Sequence, residues 1–188
     1  MKPLIALSLF AVALPAFAQD LAALTEETKK TVLPVLPKVV AAMQQSVASQ
    51  GPAGAVAVCK ELAPQLMKEK RDETGWAIRR VSLKTRNPER STPDLWEVRQ
   101  LADFNIRAAN GEKPETLEKS EIVSENGKPV LRYMKALPVN DVCLKCHGPS
   151  EGFDADLKAK LAQLYPHDQA TGYAKGQIRG ALTVKRPL

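Results

Sequence analysis

The stretch Cys143-Leu144-Lys145-Cys146-His147 constrains this chain more than any other feature. Two thiols separated by two residues, with a histidine directly after the second, fit on one short helical turn. That spacing lets each sulfur join one vinyl group of a porphyrin while the imidazole is aimed at the iron. The pattern reads as the attachment site of a single covalent haem c, held by Cys143 and Cys146, with His147 as one axial ligand. Two readings compete with it. A structural zinc site needs four ligands, and only Cys59 and His167 remain to complete one. A redox dithiol needs a strand leading into a helix within a βαβ unit. Haem is the reading that the spacing favours.

The N-terminus agrees with it. Met1-Lys2 is a short charged start, residues 4–14 are an apolar run, and Ala16-Phe17-Ala18 is a small-x-small cleavage site. We therefore expect a signal peptide over residues 1–18, cleaved after Ala18, and a periplasmic protein. The leader is too short to span a membrane, and no other stretch approaches the required apolar length, so no transmembrane segment is expected in the mature chain. What remains, about 170 residues, suits one compact domain. The formal charge of +6 falls by one when Lys2 is removed. An excess of that size fits solubility, an anionic partner or proximity to a membrane surface, and no motif suggests a nucleic-acid partner. With three cysteines in the chain, two assigned to haem leave Cys59 unpaired in an oxidising compartment.

Periodicity divides the mature chain into an N-terminal helix, residues 19–52, and a domain over residues 53–188. From Leu21 to Val47 apolar positions recur every three to four residues, with bends expected at Pro34 and Pro37 and a stop at Gly51. Residues 53–71 form a second helix in which Ala55, Cys59, Leu62 and Leu66 share a stripe and Pro64 imposes a kink. Residues 76–86 alternate as a strand. Thr92-Pro93-Asp94 opens a helix with Thr92 as cap, and Leu95, Val98, Leu101 and Ala102 are expected to face inward. Asn126-Gly127 joins two extended runs into a hairpin. A short helix near residues 154–165 precedes a last strand in which Ile178, Gly180, Leu182 and Val184 alternate with Arg179, Ala181, Thr183 and Lys185. The order implies an α+β fold, an antiparallel sheet packed by helices.

The second axial position is open on these grounds. Met43, Met67, Met134, His167 and Cys59 are candidates, as is the absence of any protein ligand. Methionine is usual in electron-transfer cytochromes, whereas a thiolate would lower the potential. Arg79, Arg80, Lys84 and Arg86 offer charge-assisted bonds to the haem propionates, a solvated strand face being the competing reading.

Several stretches resemble a family of bacterial c-type haem domains of unknown function with a PAS-like fold, akin to cyanobacterial single-haem cytochromes with Cys/His ligation. They are Ala57-Val58-Cys59 running on to Ala63-Pro64, Arg80 through Pro88, Pro93-Asp94-Leu95-Trp96-Glu97, the haem motif with Gly148, Tyr165 through Tyr173, and Arg179-Gly180-Ala181. They come in family order and extend over most of the mature chain, roughly residues 56–184. The resemblance implies a PAS-like sheet, Cys143 and Cys146 holding the porphyrin, His147 as proximal ligand and Cys59 as the second. It also supports redox or diatomic-gas sensing with an unidentified redox or signalling partner protein. The ligand chemistry adds that reduction weakens a bond to thiolate, so that CO or NO is expected to reach reduced iron. A periplasmic electron-transfer cytochrome c is the alternative. An enzyme would need a distal acid–base residue, and none is evident, so no catalytic residue is expected.

Overall fold

The computed structural model describes residues 17–188, with side chains from residue 21. Residues 1–16 of the expected leader lie outside the described residues. Helix α1 spans Phe17–Val32 and α2 spans Val35–Ala57, separated by the break at Leu33-Pro34. Within α2, Gly51 leaves helical geometry at φ 71°, ψ 177° and Pro52 restarts it, which is the stop expected at that glycine. A π turn, Val58–Leu62, then leads into α3, Ala63–Thr74. Pro64 has no N–H to offer the carbonyl of Lys60, and the expected kink takes the form of this one widened turn.

Strand β1 spans Ala77–Val81, shorter than the run of alternation. It ends because Ser82 turns its hydroxyl onto the carbonyls of Lys84 and Arg179, both at 2.8 Å, which pulls the backbone out of the ladder. The short helix α4, Pro88–Ser91, is capped by Asn87, and Thr92 closes it by donating to the carbonyl of Pro88. The cap of α5, Leu95–Ala109, is therefore Asp94 and not Thr92. Asp94 and Glu97 form a reciprocal capping box. The inward face also differs from expectation. Leu101 and Phe104 are buried, whereas Leu95 and Val98 are 81% and 37% exposed. Ala102 also faces solvent.

Strands β2, Glu118–Glu125, and β3, Lys128–Pro138, form the hairpin, with Asn126 and Gly127 at φ 53° and 76° as a type I′ turn requires. After α6, Asp141–His147, and α7, Ala155–Leu164, the chain ends in β4, Ile178–Pro187. The sheet order is β1-β4-β3-β2, all antiparallel. The fold is α+β: a four-stranded antiparallel sheet, packed helices and a long, bent N-terminal helix.

Both faces of the sheet are covered. Val32, Val35 and Met67 from the N-terminal helices pack on Ile78, Tyr133, Leu182 and Val184. On the other face, Leu101 and Phe104 of α5 pack on Val81, Met134, Ile178 and Ala181. Ile178 was expected on the face of Leu182. A register shift moves it, because Gly180 pairs with Leu137 while Ile178 pairs with Pro138. Arg179 is thus an extra residue in the ladder, a β-bulge. Two further clusters, around Leu157 and Leu161 of α7 and around Val139, Ala170 and Tyr173, enclose the cysteine motif. Among the described residues, no helix is long and apolar enough to cross a membrane.

Candidate functional site

Helix α6 carries the motif. Its cap, Asn140, accepts from the backbone N–H of Cys143 at 3.3 Å and from its Sγ at 3.1 Å, which fixes where the helix begins. Cys143, Cys146 and His147 then line one cavity. Opposite them, Cys59 and Met43 project from the N-terminal helices, and Val47, Ala55 and Val56 supply apolar walls. The structure thus brings together all four residues expected from the sequence. It sorts the other ligand candidates too. Met67 and Met134 belong to the cores on the two sheet faces, and His167 is exposed, so Cys59 and Met43 are the candidates that line the cavity. Among the described residues, no three His, Cys, Asp or Glu side chains converge as a metal-ion cluster, which leaves the zinc reading without its ligand set.

His147 is 7% exposed and held from several sides. Its Nδ1 lies 2.6 Å from the carbonyl oxygen of Ala170. A carbonyl only accepts, so Nδ1 carries the hydrogen and Nε2 keeps the lone pair that a metal would need. Tyr173 meets the ring edge-on, with centroids 6.4 Å apart. Arg179 places its Nε 3.2 Å from Nδ1 and 3.4 Å from Nε2, alongside the ring and not in line with either nitrogen. Burial, reinforced by the guanidinium groups of Arg179, Arg86 and Arg80, drives the imidazole pKa well below its usual range. The ring is therefore neutral at ordinary pH, the form that ligates. Burial likewise pushes the Cys146 thiol up to about 11.

The segment that follows β1 clamps the motif in place. Arg86, which lines the cavity, donates to Asp168 at 2.9 Å and to the carbonyl of Cys146 at 2.6 Å. Lys84 donates to the carbonyl of Thr171, and its ammonium lies 4.6 Å from the centre of the Tyr173 ring. The backbone N–H groups of Gly172 and Tyr173 bond the carbonyls of Gly148 and His147, zipping this loop onto the end of α6. Arg79 faces the other way, into an ion pair at 2.5 Å with the fully buried Glu97. Of the four cations offered for propionates, Arg79, Lys84 and Arg86 are engaged by protein partners. Arg80 makes no side-chain hydrogen bond or ion pair among the described residues.

Arg179 was outside the expected site. It is 5% exposed, and its other partners are neutral: Ser82 Oγ at 2.8 Å and the carbonyl of Lys84 at 3.1 Å. Burial, with Arg80 adding repulsion, lowers its pKa to about 9, so it stays a cation at neutral pH. Alternation alone assigned it to the α5 face. Only the bulge, which sequence period does not reveal, turns it to His147.

With cavity and partners in place, comparison with known proteins adds the family. The Tll0287-like family model matches residues 15–187. The chain belongs to the Tll0287-like family. Within the solved structures it is similar to one described as the cyanobacterial heme-protein Tll0287, at TM-score 0.64 and 24% sequence identity. The match covers 86% of this chain and 95% of that one, and at this identity it supports the fold. No curated protein matches the chain.

Proposed function

We propose that this Tll0287-like chain is an exported, periplasmic mono-haem protein in which Cys143 and Cys146 bind a c-type haem covalently and His147 and Cys59 ligate its iron. One observation carries the reading: two motif thiols, a neutral imidazole with its Nε2 lone pair free, and a third thiol all face one largely apolar cavity. The donor set suits haem c, and the family relative whose structure is described as a heme-protein supports the same cofactor. When bound, the haem would supply a one-electron couple and an iron for which ligands can compete. The PAS-like character expected from the family resemblance belongs to this proposal as well.

The use we assign is redox or diatomic-gas sensing. Cys59 sits in the π turn, where the backbone has already left regular helix geometry. Cys59 is half-buried beside apolar walls, and as a thiolate it would be paired with the ferric iron. Cys59 would hold the iron in the ferric state; were an external electron-donor protein to reduce it, the weakened bond would let Cys59 take up one proton and withdraw with the π turn, leaving room for CO or NO. The protein senses and does not catalyse, so no catalytic residue is assigned.

Electron paramagnetic resonance of the ferric holoprotein, beside Cys59→Ala, tests this reading. A low-spin thiolate signal lost in the variant is the expected result. Met43 favours a second reading, because it lines the same cavity. A methionine–iron absorption band unchanged in Cys59→Ala would give Met43/His147 ligation and an electron-transfer cytochrome.

A further inference from the structure

We propose that Arg179 is a positioning residue for His147, a fixed cation that the β4 bulge delivers against the imidazole to set its orientation and to raise the potential of the iron it ligates. The inference rests on the haem reading above for its second half; the first half concerns the protein alone.

Three independent features single this residue out. First, its backbone position is special. Arg179 is the extra residue of the bulge between the Gly180–Leu137 and Ile178–Pro138 pairs. Bulges re-aim a side chain, and this one sends Arg179 away from the α5 face that regular alternation would give it. Gly180 makes the geometry possible, because a Cβ there would overlap the carbonyl oxygen of Val81 on the neighbouring strand. Second, the guanidinium has no carboxylate partner. Ser82 and the carbonyl of Lys84 hold one end, and the His147 ring lies against the other. Third, its neighbourhood is itself cationic, with Arg80 and Arg86 close enough to act on the same imidazole.

A buried cation without an anion is costly, and it is kept where it does something. Arg179 is anchored from behind and pressed along the ring, so it restricts rotation of His147 about its Nδ1–H bond to Ala170. Among the described residues it has no carboxylate in ion-pair contact, Asp168 acting on it only from further off, so it favours the iron state carrying one less positive charge. Lysine in its place keeps the charge but loses the planar group whose Nη1 holds Ser82 and the carbonyl of Lys84 while Nε lies against His147. Charge and orientation are therefore separable by substitution.

The experiment compares wild type, Arg179→Gln and Arg179→Lys. Covalent haem content, midpoint potential and ferric resonance parameters are measured on the loaded proteins, and histidine 15N spectra on the haem-free chain. We expect Arg179→Gln to retain haem, lower the midpoint potential and shift the ferric resonance parameters. Arg179→Lys should restore the potential towards wild type while leaving the parameters altered. In the haem-free chain, the single Nδ1–H form of His147 should give way to a mixture of tautomers in Arg179→Gln. Loaded Arg179→Gln with wild-type potential and resonance parameters would overturn the proposal. Failure of the wild type to take up covalent haem would instead defeat the haem reading. The 15N comparison then decides the positioning role, and identical spectra would refute it.

Discussion

Arg86 and Asp168 stand 82 residues apart in the chain yet form an ion pair at 2.9 Å, each side chain only about a tenth exposed. Asp168 also accepts from the backbone N–H of Ala170, whose carbonyl takes the Nδ1–H of His147. The pair thus ties the segment after β1 to the loop that orients the imidazole. Asp168→Asn leaves a nearly buried guanidinium without its anion, and we expect a loss of about 3 kcal/mol in urea unfolding of the haem-free protein. The holoprotein should also show an altered ferric resonance, because Ala170 loses an anchor.

The exposed side of α5 makes a sharper contrast. Leu101 is 1% exposed, and Leu101→Ala should cost about 2–5 kcal/mol by opening a cavity under the sheet. Leu95 and Ile106 are 81% and 62% exposed, and their alanine variants should stay within about 0.5 kcal/mol of wild type. Denaturant melts of the three variants check both statements together.

Gly180→Ala should destabilise by about 1–3 kcal/mol or more, because the added methyl meets backbone, which cannot rotate away. Chemical denaturation measures the cost. Loss of β1 pairing should show as faster hydrogen exchange at residues 77–81.

Acid should weaken the fold at a defined place. Burial opposes ionisation of Asp94, Glu118 and Glu125, but their bonds to Arg132, Lys185, Lys29 and Tyr133 prevail and hold all three below the usual carboxylate range. Groups depressed in the folded state stabilise it above their unfolded values and lose that contribution as pH falls through the folded ones. Stability should therefore hold above about pH 4.5 and decline below it. Thermal melts between pH 6 and 3 should show the fall, and Glu118→Gln should flatten it.

Much of this was legible in the sequence because it rests on local chemistry. The Asn126-Gly127 turn, the stop at Gly51 and the cysteine motif each depend on a few adjacent residues. What escaped depends on contacts distant in sequence. The inner face of α5 includes Glu97, buried because Arg79, Arg132 and Thr183 bond it, and apolar periodicity cannot register a buried carboxylate. Residues 82–86 alternate like a strand, yet Ser82 and Arg86 are spent on Arg179, Cys146 and Asp168. The shared cavity of Cys59 and Cys143 needed the whole fold, since 84 residues of chain separate them.

The sheet order has a consequence for how the molecule comes into being. Strand β4, last in sequence, lies between β1 and β3. Until residue 178 is available, β1 has no partner on that side, and the hairpin of β2 and β3 has an open edge. Arg179 cannot reach His147 before then either. A chain emerging N-terminus first therefore presents Cys143 and Cys146 to the outside while its sheet is still in two pieces. Closure is a single late event of long loop length, the kind that folds slowly. On the proposed haem reading, the interval before it is when both thiols would be within reach for attachment.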